Sequence, residues 1–274
     1  MLIVAVGGYS MASLRRGRVY ECVVIDVNTQ KDFCDRSGAF PVANVAELIP
    51  AMRRVIAWTR RNHAPVVSTV ESHRPREMSD NGHPIYCVDG SPGQQKIAFT
   101  LLPLRIVVEV DNTCTVPSDL FRHWQQVLFR KRTDDLLANP KADCLLTSLP
   151  VQEYILFGTG LECSIKVLAL ALLAREKSVT VVTDACGYWN RVTADLALRQ
   201  VAAKGADLIN ADQLVTRKLD RPYRYGKNGV GIPDESTNGR VSGAALDHTQ
   251  GANADEATET EGGPTAIAPH DYQI

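Results

Sequence analysis

The sequence contains no Cys-x-x-Cys pair and no paired zinc-ligand spacing, although it has seven cysteines. An odd, scattered set argues against a disulfide framework and fits a reducing compartment. No apolar run is long enough to cross a bilayer. The opening MLIVAVGGYS is short and its arginines follow it, which makes a poor secretory signal. An excess of one charge sign is also missing. A formal net charge of -1 gives no long-range attraction to nucleic acid or anionic membrane. The clusters RRGR (15–18) and RKR (130–132) are short enough to be solvated surface. No GxGxxG follows the first strand, and no internal repeat is present. These absences point to a cytoplasmic protein with neither a nucleic-acid nor a membrane partner.

What is present is alternation. Strand-like apolar runs (22–26, VVSTV ending at Glu71, 105–109, 126–129, 154–157, SVTVVTDA, ADLIN) alternate with segments of helical period. Val45, Leu48, Ile49, Met52, Val55 and Ile56 keep helical spacing, with the main helix expected to start near Pro50. Asn190 caps a helix whose apolar face is Ala194, Leu198, Val201 and Ala202, and Gly205 ends it. Residues 72–100 read as a long irregular loop of the kind that is usually functional. The pattern predicts an α/β fold in three layers, a mostly parallel sheet with helices on both faces. Residues 1–18 read as an N-terminal extension, with Met11 an alternative start. The fold occupies 19–218. Residues 219–274 are polar, Gly-rich and nearly without large apolar side chains, a composition expected to stay disordered.

In such folds ligands bind beyond the carboxyl ends of the strands, where Asp26, Glu71, Lys131 and Cys163 are expected. Cys163 follows an apolar strand and a Gly158-Thr159-Gly160 turn, and opens a helix. Unpaired N–H groups and the helix dipole there favour thiolate, below the free value of about 8.5. Core filler is the plainer reading of such a cysteine. The glycine turn tips the balance, because it lets backbone N–H groups converge as an oxyanion hole requires. Asp26 closes the first strand and is either a loop cap or the base for the thiol. Lys131 is a cation at the end of another strand, flanked by Arg130 and Arg132, and alternation lets only one of the three point inward.

These residues carry a resemblance. VVIDVNTQKDF, then VLFRKRTDD, then FGTGLECSIKVLALAL, with HPIYCVDGSPGQQ and TDACGYWN, resemble the isochorismatase-like cysteine hydrolases, which include nicotinamidases. The likeness covers about residues 20–215. It implies a six-stranded parallel, Rossmann-like sheet, a homo-oligomer, and an Asp-Lys-Cys triad matched by Asp26, Lys131 and Cys163. It also implies a cis bond between Gly158 and Thr159, and oxyanion amides at Thr159 and Cys163. Phe33 and Tyr86 are candidates to flank a planar substrate. Two departures stand out. Two residues are inserted after Asp26 relative to the family's tighter Asp-x-Gln run before its Phe. The nicotinamidase metal pair Asp-x-His reads Glu71-Ser72-His73, and His83 stands near the place of a further ligand. A hard or borderline metal (zinc, iron or manganese) on Glu71, His73 and His83 is weighed against a merely polar loop, and the polar loop is favoured. The expected activity is cysteine-dependent hydrolysis of an amide-type C–N bond in a small molecule through a thioester, with no cofactor required. The alternatives are a metal-dependent nicotinamidase (nicotinamide to nicotinate and ammonia) and a non-catalytic binding module on the same fold.

Overall fold

The computed structural model describes residues 20–75, 84–109, 116 and 120–220. The apolar runs form one sheet of seven parallel strands: β1 (Tyr20–Val27), β2 (Val66–Glu71), β3 (Arg105–Val108), β4 (Gln126–Lys131), β5 (Val151–Thr159), β6 (Val179–Gly187) and β7 (Asp207–Ile209). Their order is β3-β4-β2-β1-β5-β6-β7, one strand more than the six expected. The sheet's first strand in chain order, β1, lies in the middle, and later strands add outward in both directions. A switch point therefore falls between β1 and β5, and a crevice opens at such a point.

Period-two alternation in β1 divides the core. Val23, Ile25 and Val27 join the apolar layer that includes α4 (Pro140–Ser148), α5 (Lys166–Leu173) and α6 (Arg191–Ala203). Cys22 and Val24 join the opposite layer, with α2 (Val45–Arg61) and α7 (Ala211–Thr216). Both faces of the sheet are thus dry, which is why its strands read as continuous apolar runs. The helix expected from Pro50 instead begins at Val45 and carries Pro50 inside it. Asn190 does cap α6, its side chain accepting from the N–H groups of Val192 and Thr193.

Two short elements complete the scaffold of the site, α1 (Lys31–Cys34) and a wide π-type turn, Leu161–Ile165, that leads into α5, while α3 (Leu120–His123) lies at the other end of the sheet, its Phe121 against Tyr20. Gly158 has φ +133° and a Cβ there would lie 2.0 Å from the Val27 carbonyl oxygen, so only glycine lets β5 approach β1 this closely. The described peptide bonds are all trans, so the cis bond expected between Gly158 and Thr159 is not found. The expected extension and tail, 1–18 and most of 219–274, lie outside the described residues, as does His83.

Candidate active site

The ends of β1, β2 and β4 and the turn after β5 converge on one buried carboxylate, Glu71. Its Oε1 accepts from Lys131 Nζ at 2.9 Å and from Asn28 Nδ2 at 2.6 Å, and its Oε2 lies 3.3 Å from His73 Nε2. Burial alone would raise its pKa, but the Lys131 ammonium and the His73 contact outweigh burial and hold the carboxyl below the usual range. Gln30 fixes this strand end from the side. Its amide pairs with both the N–H and the C=O of Glu71, each at 2.8 Å.

Ser164 is the second hub. Its hydroxyl donates to Asp134 Oδ1 at 2.8 Å, while its oxygen receives Lys131 Nζ at 3.1 Å and Asn28 Nδ2 at 3.3 Å. The proton thus faces a carboxylate and the oxygen faces a cation and an amide donor, the polarity that activates a hydroxyl as a nucleophile. Asn28 follows the end of β1 with φ +50°, a left-handed conformation that asparagine tolerates, and this turns its side chain into the crevice. A cavity of about 430 Å³ adjoins the cluster, with Ser72, Lys131, Arg132 and Thr133 on its wall.

The Cys163 thiol lies one residue away and is differently placed. Its Sγ donates weakly to the Gly160 carbonyl, 3.6 Å away. Burial, then the nearby Asp134 carboxylate, push it up to about 12, with the Ser164 N–H opposing. This runs against the expected thiolate, because burial disfavours the charged form and the surrounding charges are negative; the Cys163 N–H is itself spent on the Gly160 carbonyl at 3.2 Å.

The Isochorismatase domain matches residues 22–213. The chain belongs to the isochorismatase family. Solved structures agree on the fold. A zinc-complexed pyrazinamidase of Pyrococcus horikoshii is 20% identical, with a TM-score of 0.54 over 69% of this chain and 99% of that one. An isochorismatase family protein from Desulfovibrio vulgaris is 20% identical, with a TM-score of 0.56 over 72% and 100%. Nicotinamidase/pyrazinamidase from Bacillus subtilis is 14% identical, with a TM-score of 0.56 over 69% and 100%. A search of the curated proteins found no match.

In this isochorismatase-family chain the expected site residues separate into two groups. Lys131, Glu71 and His73 meet as described. Asp26 does not join them. It is fully buried, with Lys96 Nζ 2.9 Å from Oδ2 and the Ser68 hydroxyl 3.0 Å from the same oxygen. The reason is alternation: Asp26 sits on the Val24 side of β1, one residue short of the strand end, in register with Ser68. Asn28 takes the place expected of Asp26, and the family's Asp-x-Gln spacing, counted back from Gln30, lands on it. That count was the available signal. Nothing in the sequence pointed to Ser164 over its neighbour Cys163, or to Asp134. Of the expected oxyanion amides, that of Cys163 is taken by Gly160, and Thr159 lies in register with Gly187.

Phe33 and Tyr86 do come together, with ring centroids 5.2 Å apart, but Phe33 is almost wholly buried. For a metal, the described residues offer Glu71 and His73 alone, and no group of three acidic, histidine or cysteine donors occurs among them. Both Glu71 oxygens already face Lys131, Asn28 or His73. Among the described residues these two donors, one of them facing an ammonium, do not by themselves complete a divalent site, and His83, the third candidate, lies outside those residues. No helix among the described residues is long and apolar enough to cross a membrane.

Proposed function

We propose that this chain hydrolyses an amide-type C–N bond in a small carbonyl compound, with the Ser164 hydroxyl in the place expected of the Cys163 thiol. The observation that carries it is the polarity around Ser164 Oγ, proton toward Asp134 and oxygen toward Lys131 and Asn28. Asp134 takes the hydroxyl proton as Oγ attacks the carbonyl carbon, and returns it to the nitrogen as the C–N bond breaks. Water then hydrolyses the ester, with Asp134 again accepting and returning the proton. Lys131 and Asn28 stabilise charge on the attacking oxygen, and Glu71 and Gln30 hold them in place. The Thr159 amide is the expected oxyanion donor. The reaction needs no cofactor, and it belongs in the cytoplasm, in a homo-oligomer.

A panel of small amides, assayed for ammonia release, tests this reading. Ser164→Ala should lower kcat by at least about 1,000-fold, while Cys163→Ala keeps most of it. The reverse result would restore the thiol and its thioester. A second reading, a binding module without catalysis, is favoured by one observation: an amide, Asn28, stands where the family spacing calls for a carboxylate. No ammonia release from any panel member, together with saturable ligand binding, would establish that reading.

A further inference from the structure

Tyr86 and Phe33 were expected to flank a planar substrate, and the structure puts another ring, Phe40, against Tyr86. Phe40 stacks on Tyr86 with centroids 5.1 Å apart and on Trp189 at 4.8 Å, each pair within 15° of parallel. Phe33 meets Tyr86 at 5.2 Å and Trp189 at 5.5 Å, closing the group with tilted and edge-on contacts. The stacking surface that a flat ligand would use is therefore occupied by the chain itself.

The occupying ring is held from several directions. Trp189 Nε1 donates to the Phe40 carbonyl at 3.2 Å, and the Phe40 N–H donates to the Asp32 carbonyl at 3.1 Å. The buried Asp32 carboxylate then ties two loops together. One oxygen accepts the Ala39 N–H at 3.0 Å and the other accepts the Cys87 N–H at 2.7 Å. The segments carrying Phe40 and Tyr86 are thereby fixed to one anchor. The stack also borders the reaction cluster. The Tyr86 ring lies 5.2 Å from that of His73, and the Trp189 N–H donates to Glu162, the neighbour of Cys163.

We propose that Phe40 determines specificity: it takes the stacking place of a planar ring and confines the site to small, non-aromatic carbonyl compounds. The proposal rests on the reading of the Ser164 cluster as the reaction site, so its test measures binding, not turnover. Benzamide, with acetamide as the non-aromatic control, is titrated into the full-length chain, Phe40→Ala and Phe40→Leu. Binding is followed by ligand-observed NMR and by quenching of tryptophan fluorescence. Benzamide should bind Phe40→Ala at least about tenfold more tightly than the unchanged chain, the ring no longer competing with Phe40 for two stacking partners. Acetamide should bind all three alike. Equal benzamide affinity in the unchanged chain and both variants overturns the proposal, and so does absence of benzamide binding to any of them. If the alanine variant fails to fold, the leucine variant, which keeps the apolar volume, carries the test. Failure of the Ser164 reading would show separately, as turnover surviving Ser164→Ala.

Discussion

Asp26 and Lys96 form an ion pair with almost no solvent contact, and one carboxylate oxygen of Asp26 has no hydrogen-bond partner. Removing one member of such a pair strands the other charge in the core, which costs about 3–5 kcal/mol. Asp26→Asn should therefore lower the denaturant midpoint sharply while leaving kcat of the folded fraction close to unchanged. A loss of kcat beyond the loss of folded protein would return Asp26 to the reaction. Cys163 supplies a second residue-scale expectation, bound to the test of Ser164. With burial first among the causes that raise its thiol to about 12, it stays protonated at neutral pH, and alkylation by iodoacetamide should accelerate only as pH climbs toward that value. Strand-end chemistry was legible in the sequence to within a residue or two at Lys131 and Glu71, where the apolar run stops at the charged side chain. It was not legible at Asp26 or Cys163. At both, a shift of one or two positions changes which face of a strand or turn the side chain takes.

At the scale of elements, α2 departs from its expected start. Pro50 lies five residues into the helix and is exposed, so it forfeits one backbone hydrogen bond without packing against anything in return. Neighbouring apolar residues explain why the helix forms regardless: Leu48, Ala51, Met52 and Val55 are all buried against the sheet, and that burial overrides propensity. Pro50→Ala should raise stability by about 1–2 kcal/mol, the regained propensity being partly offset by a more flexible unfolded chain. A thermal melt should then move up by roughly 2–8 °C. An unchanged or lower midpoint would mean that the proline fits this helix without strain. The turn before α5 is the opposite case. Its glycines were readable, yet the π-type widening that sends Ser164 toward Lys131 has no signature in composition or period.

For the whole molecule, Glu71 supplies one source of pH dependence, since Asn28 after β1, Lys131 of β4 and His73 are all tied to it. A carboxyl held below its usual value of 4.5 stabilises the fold fully above that value, and the contribution fades as pH falls through the lower folded value. Stability should therefore drop on acidification from about pH 4.5 downward. Glu71→Gln should flatten that limb of the stability curve, and an unchanged slope would assign acid sensitivity elsewhere. What the order of residues determined by itself is the α/β alternation, the parallel sheet buried on both faces and, through its motifs, the resemblance to the isochorismatase family. The alternation and the buried sheet follow from local periodicity and short-range capping, which operate over a few neighbouring residues. Only the tertiary structure decided that Asn28 and Ser164, with Asp134, meet Lys131, and that Phe40 stacks on Tyr86 and Trp189. Those contacts join residues up to 149 positions apart through strand register and turn width, and such geometry exists only once the sheet has closed around its core.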